Sequence, residues 1–585
     1  MRLDEILPGQ LKKDLTPAER RLLKCIASGK EADFSAPDES QNDPTRGAAW
    51  GPDRTIRSAF LFWLCTDAQA AACIPPKGIR IWGARIKGPL DFEGATLLHR
   101  LFLVRCAIPE GIVLTDARTR RLDLSGSYTQ RIHADGLTVE GALVLSGAWL
   151  ENPNGNALSA DGMTVEGSVF LNEGFHATGE VRLLRARIGG QLNCRGAWLE
   201  NPNGNALSAD RMTVEGSVFL DEGFHATGEV RLLGARIGGQ LSCRGARLEN
   251  PNGNALFADG MTVERSVFLD QGFHATGEVR LPGTHIRGNL ECTGARLENP
   301  NGNALSADQM TVEGSVFLNE GFYATGEVRL PGTHIRGNLE CTGARLENPN
   351  GAALNLEYAR IRVIVDDEDS WPQPGRLLLD GLEYEGFAGD PTQMDARRRL
   401  KWLRRQLPHF RPQPYDQLAR VFRRMGREEE AVEVLIAKQK DLIRYGKLSR
   451  WGKLTRRILG VTIGYGYRPR RAFFWVLAFV IAGGLIFKWA YTYNLMVPVK
   501  ILSDPLYRAS GTIPAGYPRF QDWAYSLDVF LPIVDLHQES FWLPDAGKPF
   551  GALVRLYLWF HIIAGWVFST LFVSGVTGLV KSRLE

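Results

Sequence analysis

Cysteine is scarce, eight residues in 585, and no two of the eight stand in a C-x-x-C spacing. That removes the commonest redox and thiolate-metal motifs. The chain also has no G-x-G-x-x-G and no H-E-x-x-H, so the usual dinucleotide fingerprint and the helical zinc-protease pair are missing. No catalytic residue, cofactor or metal is assigned on these grounds, and the reading leans away from an enzyme. Net charge is only +4, which argues against a nucleic-acid partner for the chain as a whole and makes any basic function local. The opening residues, MRLDEILPGQLKKDLTP, lack the apolar stretch of a secretory signal, so the N-terminal three-quarters is expected in the cytosol.

What the chain has in abundance is repetition. A 49-residue block opens at Glu151 and restarts at Glu200, Glu249, Glu298 and, shortened, Glu347, and its first two copies agree at 44 of 49 positions. A fixed period means one supersecondary unit stacked on itself. Within the block Val165, Gly167, Val169 and Leu171 alternate with polar residues, as do Ile188, Gly190, Leu192 and Cys194. Period-2 runs this short, joined by NPNG corners and leaving no room for a crossover helix, predict a mainly β fold: a parallel β-helix with two coils per block.

Coils stack about 4.8 Å apart, which sets equivalent residues of successive blocks roughly 9 to 10 Å apart. That spacing is too wide for a disulfide between Cys194, Cys243, Cys292 and Cys341, so these are expected to be inert core thiols. It is equally too wide for a metal array on His176, His225 and His274, which give way to Tyr323. Those residues, and the phenylalanines Phe170, Phe219, Phe268, Phe317 and Phe175, Phe224, Phe273, Phe322, are expected to stack at corners. Glu180 with Arg182, and its copies, read as a solvated charge ladder.

Five regions follow in order. Residues 1–75 read as a helical cap, with a capping box at Thr16-Pro17-Ala18-Glu19. Residues 76–388 form the β-helix, about a dozen coils at roughly 24 residues each and on the order of 60 Å long, with the clean repeats at 151–350. Residues 389–445 read as a helical hairpin connector of tetratricopeptide type.

Residues 446–471 continue a basic stretch: Arg444, Lys447, Arg450, Lys453, Arg456, Arg457, Arg468, Arg470 and Arg471, with no acidic residue between Asp441 and Asp504. Leu448, Trp451, Leu454, Ile458 and Leu459 interleave with them, the pattern of an amphipathic helix on an anionic bilayer surface. Residues 472–585 carry two apolar runs, Ala472–Phe487 and Leu556–Val580, each long enough to cross a bilayer.

The basic cluster before the first run, with Lys581 and Arg583 after the second, predicts a two-pass protein of a bacterial inner membrane with both termini cytoplasmic. Residues 499–554, between the runs, are acidic by two charges. Their segment Phe520–Pro532 is amphipathic and too short to span, so it is either interfacial or re-entrant. In the re-entrant case Tyr525, Ser526, Asp528 and Asp535 would line or flank an outer pore mouth.

The block GSVFL-x-EGF-x-ATGEVRLLGARIGGQL, the stretch Trp50-Gly51-Pro52-Asp53-Arg54 and the hairpin start Gln413-Pro414-Tyr415 resemble bacterial pentapeptide-related β-helical membrane proteins. Proteins of that kind often carry the label membrane-associated oxidoreductase, which the resemblance brings as an alternative function. The C-terminal part, with Tyr525-Ser526-Leu527 between the spans, is similar to two-helix ion-channel domains. It departs from them in having no T-x-G-Y-G after Tyr525, and Gly464-Tyr465-Gly466 precedes the first span. The resemblance implies a sensor or scaffold rod coupled to an oligomeric membrane module that conducts ions or perturbs the bilayer. A passive scaffold for a protein partner or ligand on the β-helix is the remaining alternative.

Overall fold

The computed structural model describes residues 3–389, 395–406 and 410–577. They fall into two compact units, residues 1–425 and 426–585. The division lies inside the expected 389–445 hairpin.

The first unit is a parallel β-solenoid of about 13 turns. Its strands lie in two long sheets of 25 and 18 strands, and all their pairings are parallel. In the early turns burial recurs every five residues: Ile112 and Leu114, Ala117 and Thr119, Leu122 and Leu124, Ser127 and Thr129 face inward, and Ile132 then sits over Ile112. Each turn is therefore four-sided, with a two-residue strand and a corner on each side. The corners demand close approach. A Cβ on Gly167 would lie 2.6 Å from the Gly141 carbonyl oxygen of the turn below.

In the 49-residue blocks the turns alternate in length. Thr164 pairs with Arg187, 23 residues on, and Arg187 with Thr213, 26 residues on. The extra residues are the NPNG segment, and its placement corrects the sequence reading. NPNG makes no corner; it bulges from the middle of a long side, Trp149–Ser159, where Glu151 pairs with Thr178 and Asn156 with Glu180. Asn152 closes the bulge by donating its side-chain amide to the Asn156 carbonyl at 2.8 Å, and Asn201, Asn250 and Asn299 repeat the bond. Asparagine bonding locally to backbone favours such loops over a continued ladder.

The four ladder cysteines are buried and unpaired, and burial pushes their thiols up. The two phenylalanine sets part company. Phe175, Phe224, Phe273 and Phe322 are fully buried, whereas Phe219 and Phe268 face outward under Arg195 and Arg244, 4.0 and 3.7 Å from guanidinium to ring centre. The histidines alternate with residues of the intervening turns, so that Trp198 lies between His176 and His225 at 5.7 and 5.3 Å. The arginines of the expected charge ladder bond mainly across turns: Arg182 to Asp161, Arg231 to Asp210, Arg280 to Asp259 and Arg329 to Asp308 at 2.6 to 2.8 Å.

Both ends are closed. At the first, α1 (Pro17–Ala27) starts at the capping box: the Glu19 amide donates to Thr16 Oγ1 and the Thr16 amide to Glu19 Oε2, each at 3.0 Å. Glu19 is fully buried and also holds Arg57 at 2.7 Å. Helix α2 (Ser58–Thr66) follows. The expected cap is partly β, since Ala32–Asp33 and Thr55–Arg57 pair with the first full turn. At the other end the last strand, Glu383–Ala388, is covered by α3 (Gln413–Arg424). Gln413 and Gln417 donate to the carbonyls of Leu382 and Tyr384 at 3.0 and 2.6 Å, satisfying acceptors that an open sheet edge leaves free. Beneath them a buried pair joins Arg399 to Asp366 at 2.7 Å, with Trp371 Nε1 donating to the same carboxylate.

The second unit is helical. It contains α4 (Glu428–Tyr445), α5 (Arg450–Thr462), α6 (Arg470–Thr492), α7 (Asp522–Phe530) and α8 (Gly551–Val576), with a small antiparallel pair, Met496–Pro498 with Trp542–Pro544.

Candidate functional site

Helices α6 and α8 are long and apolar enough to cross a membrane, with mean hydropathy 2.0 and 1.7 over their best windows. The short helix α7 packs against both. Leu531, extended before Pro532, ends it.

Glycine admits α7. A Cβ on Gly483 of α6 would fall 2.3 Å from Ser526 Oγ and 2.6 Å from His561 Cε1, and one on Gly565 of α8 would fall 1.8 Å from the Phe530 carbonyl oxygen. Small residues at such crossings let apolar helices approach backbone to backbone.

The approach assembles a buried polar cluster. Ser526 and His561 are both fully buried. Ser526 Oγ donates to the Val480 carbonyl at 2.9 Å and lies 3.2 Å from His561 Nε2. His561 Nε2 is also 3.2 Å from the Ser526 carbonyl, and His561 Nδ1 is 3.3 Å from the Tyr557 hydroxyl. One assignment satisfies every group: a neutral imidazole with its proton on Nε2, donated to Ser526, and Nδ1 accepting from Tyr557. This assignment leaves no base for a serine nucleophile, because Nε2 already carries a proton and the Ser526 hydrogen is committed to Val480. Around the cluster stand Phe487 and Phe530, 5.7 and 4.9 Å from the imidazole centre. Tyr525 is buried beside them, its hydroxyl without a hydrogen-bond partner among the described residues.

The residues expected at a pore mouth thus take different places. Tyr525 and Ser526 lie inside the helix crossing. Asp528 is 6% exposed and accepts from the amides of Leu536 and Glu539, so its carboxylate staples the loop after α7. Asp535 is at the surface, where the His537 imidazole bonds it and holds its carboxyl below the usual range. His561, the one histidine of the second run, is the member that the spacing could not pair with a partner.

The basic residues are distributed over several elements. Arg444 lies in the last turn of α4, with its guanidinium over Tyr445. Arg450, Lys453, Arg456 and Arg457 lie on α5, which Ser449 caps by accepting from Gly452 at 3.1 Å. Trp451, Leu454, Ile458 and Val461 form an apolar stripe on the same helix, all of them exposed, Trp451 at 76%. Lys447 precedes α5, and Arg468, Arg470 and Arg471 gather at the start of α6. Lys581 and Arg583 lie outside the described residues. Comparison of the chain with protein-family profiles, curated proteins and solved structures returned no match.

Proposed function

We propose that the chain is a membrane-anchored solenoid whose α6–α7–α8 module assembles with copies of itself into a channel-like unit, the solenoid acting as its sensor or scaffold. The supporting observation is the depth of α7. Ser526 meets α6 at Val480 and α8 at His561, near the middle of both span-length helices, so a nine-residue helix reaches mid-span. A re-entrant element of that kind is tolerated in a bilayer where it is enclosed by protein or lines a cavity. Two spans per chain do not enclose a pore, so the reading requires an oligomer. The exposed apolar side chains of α6 and α8, among them Phe474, Leu485, Leu556, Ile563 and Trp566, suit lipid or neighbouring copies.

The basic cluster and α5 support placing the solenoid on the cytoplasmic side of a bacterial inner membrane. The five-residue sides support membership of the pentapeptide-related β-helical membrane proteins. A passive protein-binding scaffold is the second reading, favoured by the exposed Trp149 and Trp198 on the repeat surface.

The deciding experiment is mass measurement in detergent together with ion flux into proteoliposomes. A defined oligomer whose flux changes in Ser526→Ala and His561→Phe fits the proposal. A monomer without flux overturns it and leaves the scaffold. A flavin or haem band in the purified protein would instead revive the oxidoreductase label.

A further inference from the structure

The last turns of the solenoid and α3 border an open cleft of about 420 Å³. Its floor is the outward face of three stacked strands. His334, Arg360 and Glu383 lie in register there, and Arg336, Arg362 and Glu385 stand two residues further along the same faces. Its wall is α3, which adds Gln417, Arg420 and Arg424.

Arginines without a carboxylate partner gather at this cleft. Some outward arginines on this face find a glutamate on a neighbouring turn, as Arg287 does with Glu264 at 2.6 Å and, within the cleft, Arg336 with Glu313 at 3.6 Å, whereas Arg187 and Arg236, in the same column of the repeats, have no ion pair among the described residues. Within the cleft Arg360 is paired with Glu383 at 3.4 Å, but among the described residues Arg420 bonds only the neutral Gln417 Oε1. Arg362 and Arg424, both exposed, have no hydrogen bond or ion pair among the described residues. Of the five arginines lining the concavity, Arg362, Arg420 and Arg424 thus have no carboxylate partner among the described residues, and Glu385 is the one lining carboxylate without an ion pair there.

We infer that this cleft is a binding site for a small, soluble, multiply charged phosphorylated ligand of about nucleotide size. The volume lies in the range of small-molecule sites. Guanidinium is the side chain whose planar fork matches phosphate oxygens two at a time. The strands and the helix that carry these cations hold their backbone positions apart from any ligand, and the side chains order when an anion arrives. A ligand here would bridge the last solenoid turns to α3.

The test is calorimetric titration of the full-length protein in neutral detergent with inorganic pyrophosphate. Saturable binding is expected, weakened about 10- to 100-fold in the double variant Arg362→Gln/Arg424→Gln, as expected for the loss of two charge-assisted contacts. Arg287→Gln, on the same face but outside the cleft, should bind as the parent does. Unchanged β-sheet circular dichroism confirms that the variants fold, which their exposed positions favour. Absence of saturable binding, or equal weakening in Arg287→Gln, overturns the site. Displacement of pyrophosphate by ADP at lower concentration than by glycerol 3-phosphate supports a soluble ligand. The reverse order overturns that assignment in favour of a lipid headgroup.

Discussion

Alkaline pH should unfold the solenoid through its thiols. Six cysteines of the first unit, Cys65, Cys106, Cys194, Cys243, Cys292 and Cys341, are fully enclosed, and burial pushes all six up, Cys106 to about 12. An unfolded chain releases thiol protons near pH 8.5, whereas the folded chain keeps them to higher pH. Above about pH 8.5 the folded state therefore binds more protons than the unfolded state, and stability falls as pH rises. Below that value the contribution is fully present. Each thiol adds about 1.4 kcal/mol per pH unit, so six give a slope of about 8 kcal/mol per unit for cooperative unfolding. The assay is denaturant unfolding in detergent between pH 7.5 and 10, followed by the far-UV β signal, which comes from this unit. The variant Cys194→Ala/Cys243→Ala/Cys292→Ala/Cys341→Ala keeps two of the six enclosed thiols, and its slope should drop to about 3 kcal/mol per unit. The comparison of slopes is insensitive to the cavities that alanine leaves, because those costs do not vary with pH. Identical slopes in parent and variant would refute the reasoning.

Two further outcomes test the packing arguments. Gly483→Ala should push α7 away from α6 and lower the stability of the helical unit by about 1 to 3 kcal/mol, the usual range for overpacking, read as an earlier thermal transition in detergent. A transition matching the parent would mean that the crossing is looser than described. Arg399→Met strands the buried Asp366 and should cost about 3 to 5 kcal/mol, most of it recovered in Arg399→Met/Asp366→Asn, and equal losses in the two would count against a buried ion pair.

Much of the solenoid could be read from the chain because the repeat is nearly identical in successive copies. Any residue that faces inward once must face inward every 49 positions, so the cysteine ladder was legible, but the Phe170 and Phe175 sets share that spacing and it could not tell the outward set from the buried one. Averaging hid the rest. A mean near 24 residues per coil conceals the alternation of 23 and 26, and only the pairing of Glu151 with Thr178 and of Asn156 with Glu180 locates the surplus on a side. Alternation of period 2 inside a two-residue strand cannot distinguish a long strand from a five-residue side, because both put the same neighbours inward. The early turns carried that information, since their inward pairs Ile112 and Leu114, Ala117 and Thr119 recur without the NPNG insertion.

The membrane module was legible as elements and illegible as a site, for a reason rooted in how apolar helices pack. Hydropathy reports that α6 and α8 avoid water, but it is nearly blind to rotation about the helix axis, since both helices are apolar on most sides. Two local signals did point inward: Gly483-Gly484 within the first span, and a lone histidine within the second. Small residues mark where another backbone comes close, and an ionisable residue at mid-span must find a partner there. Joined, they predict that something polar fills the crossing, and Ser526 is the hydroxyl that does so. Charge suggested exposure for both acidic residues, and it holds for Asp535 but not for Asp528. Asp528 is the counterexample: on a helix that ends at Leu531-Pro532, the following loop turns back, and its amides need an acceptor more than a pore mouth needs a charge.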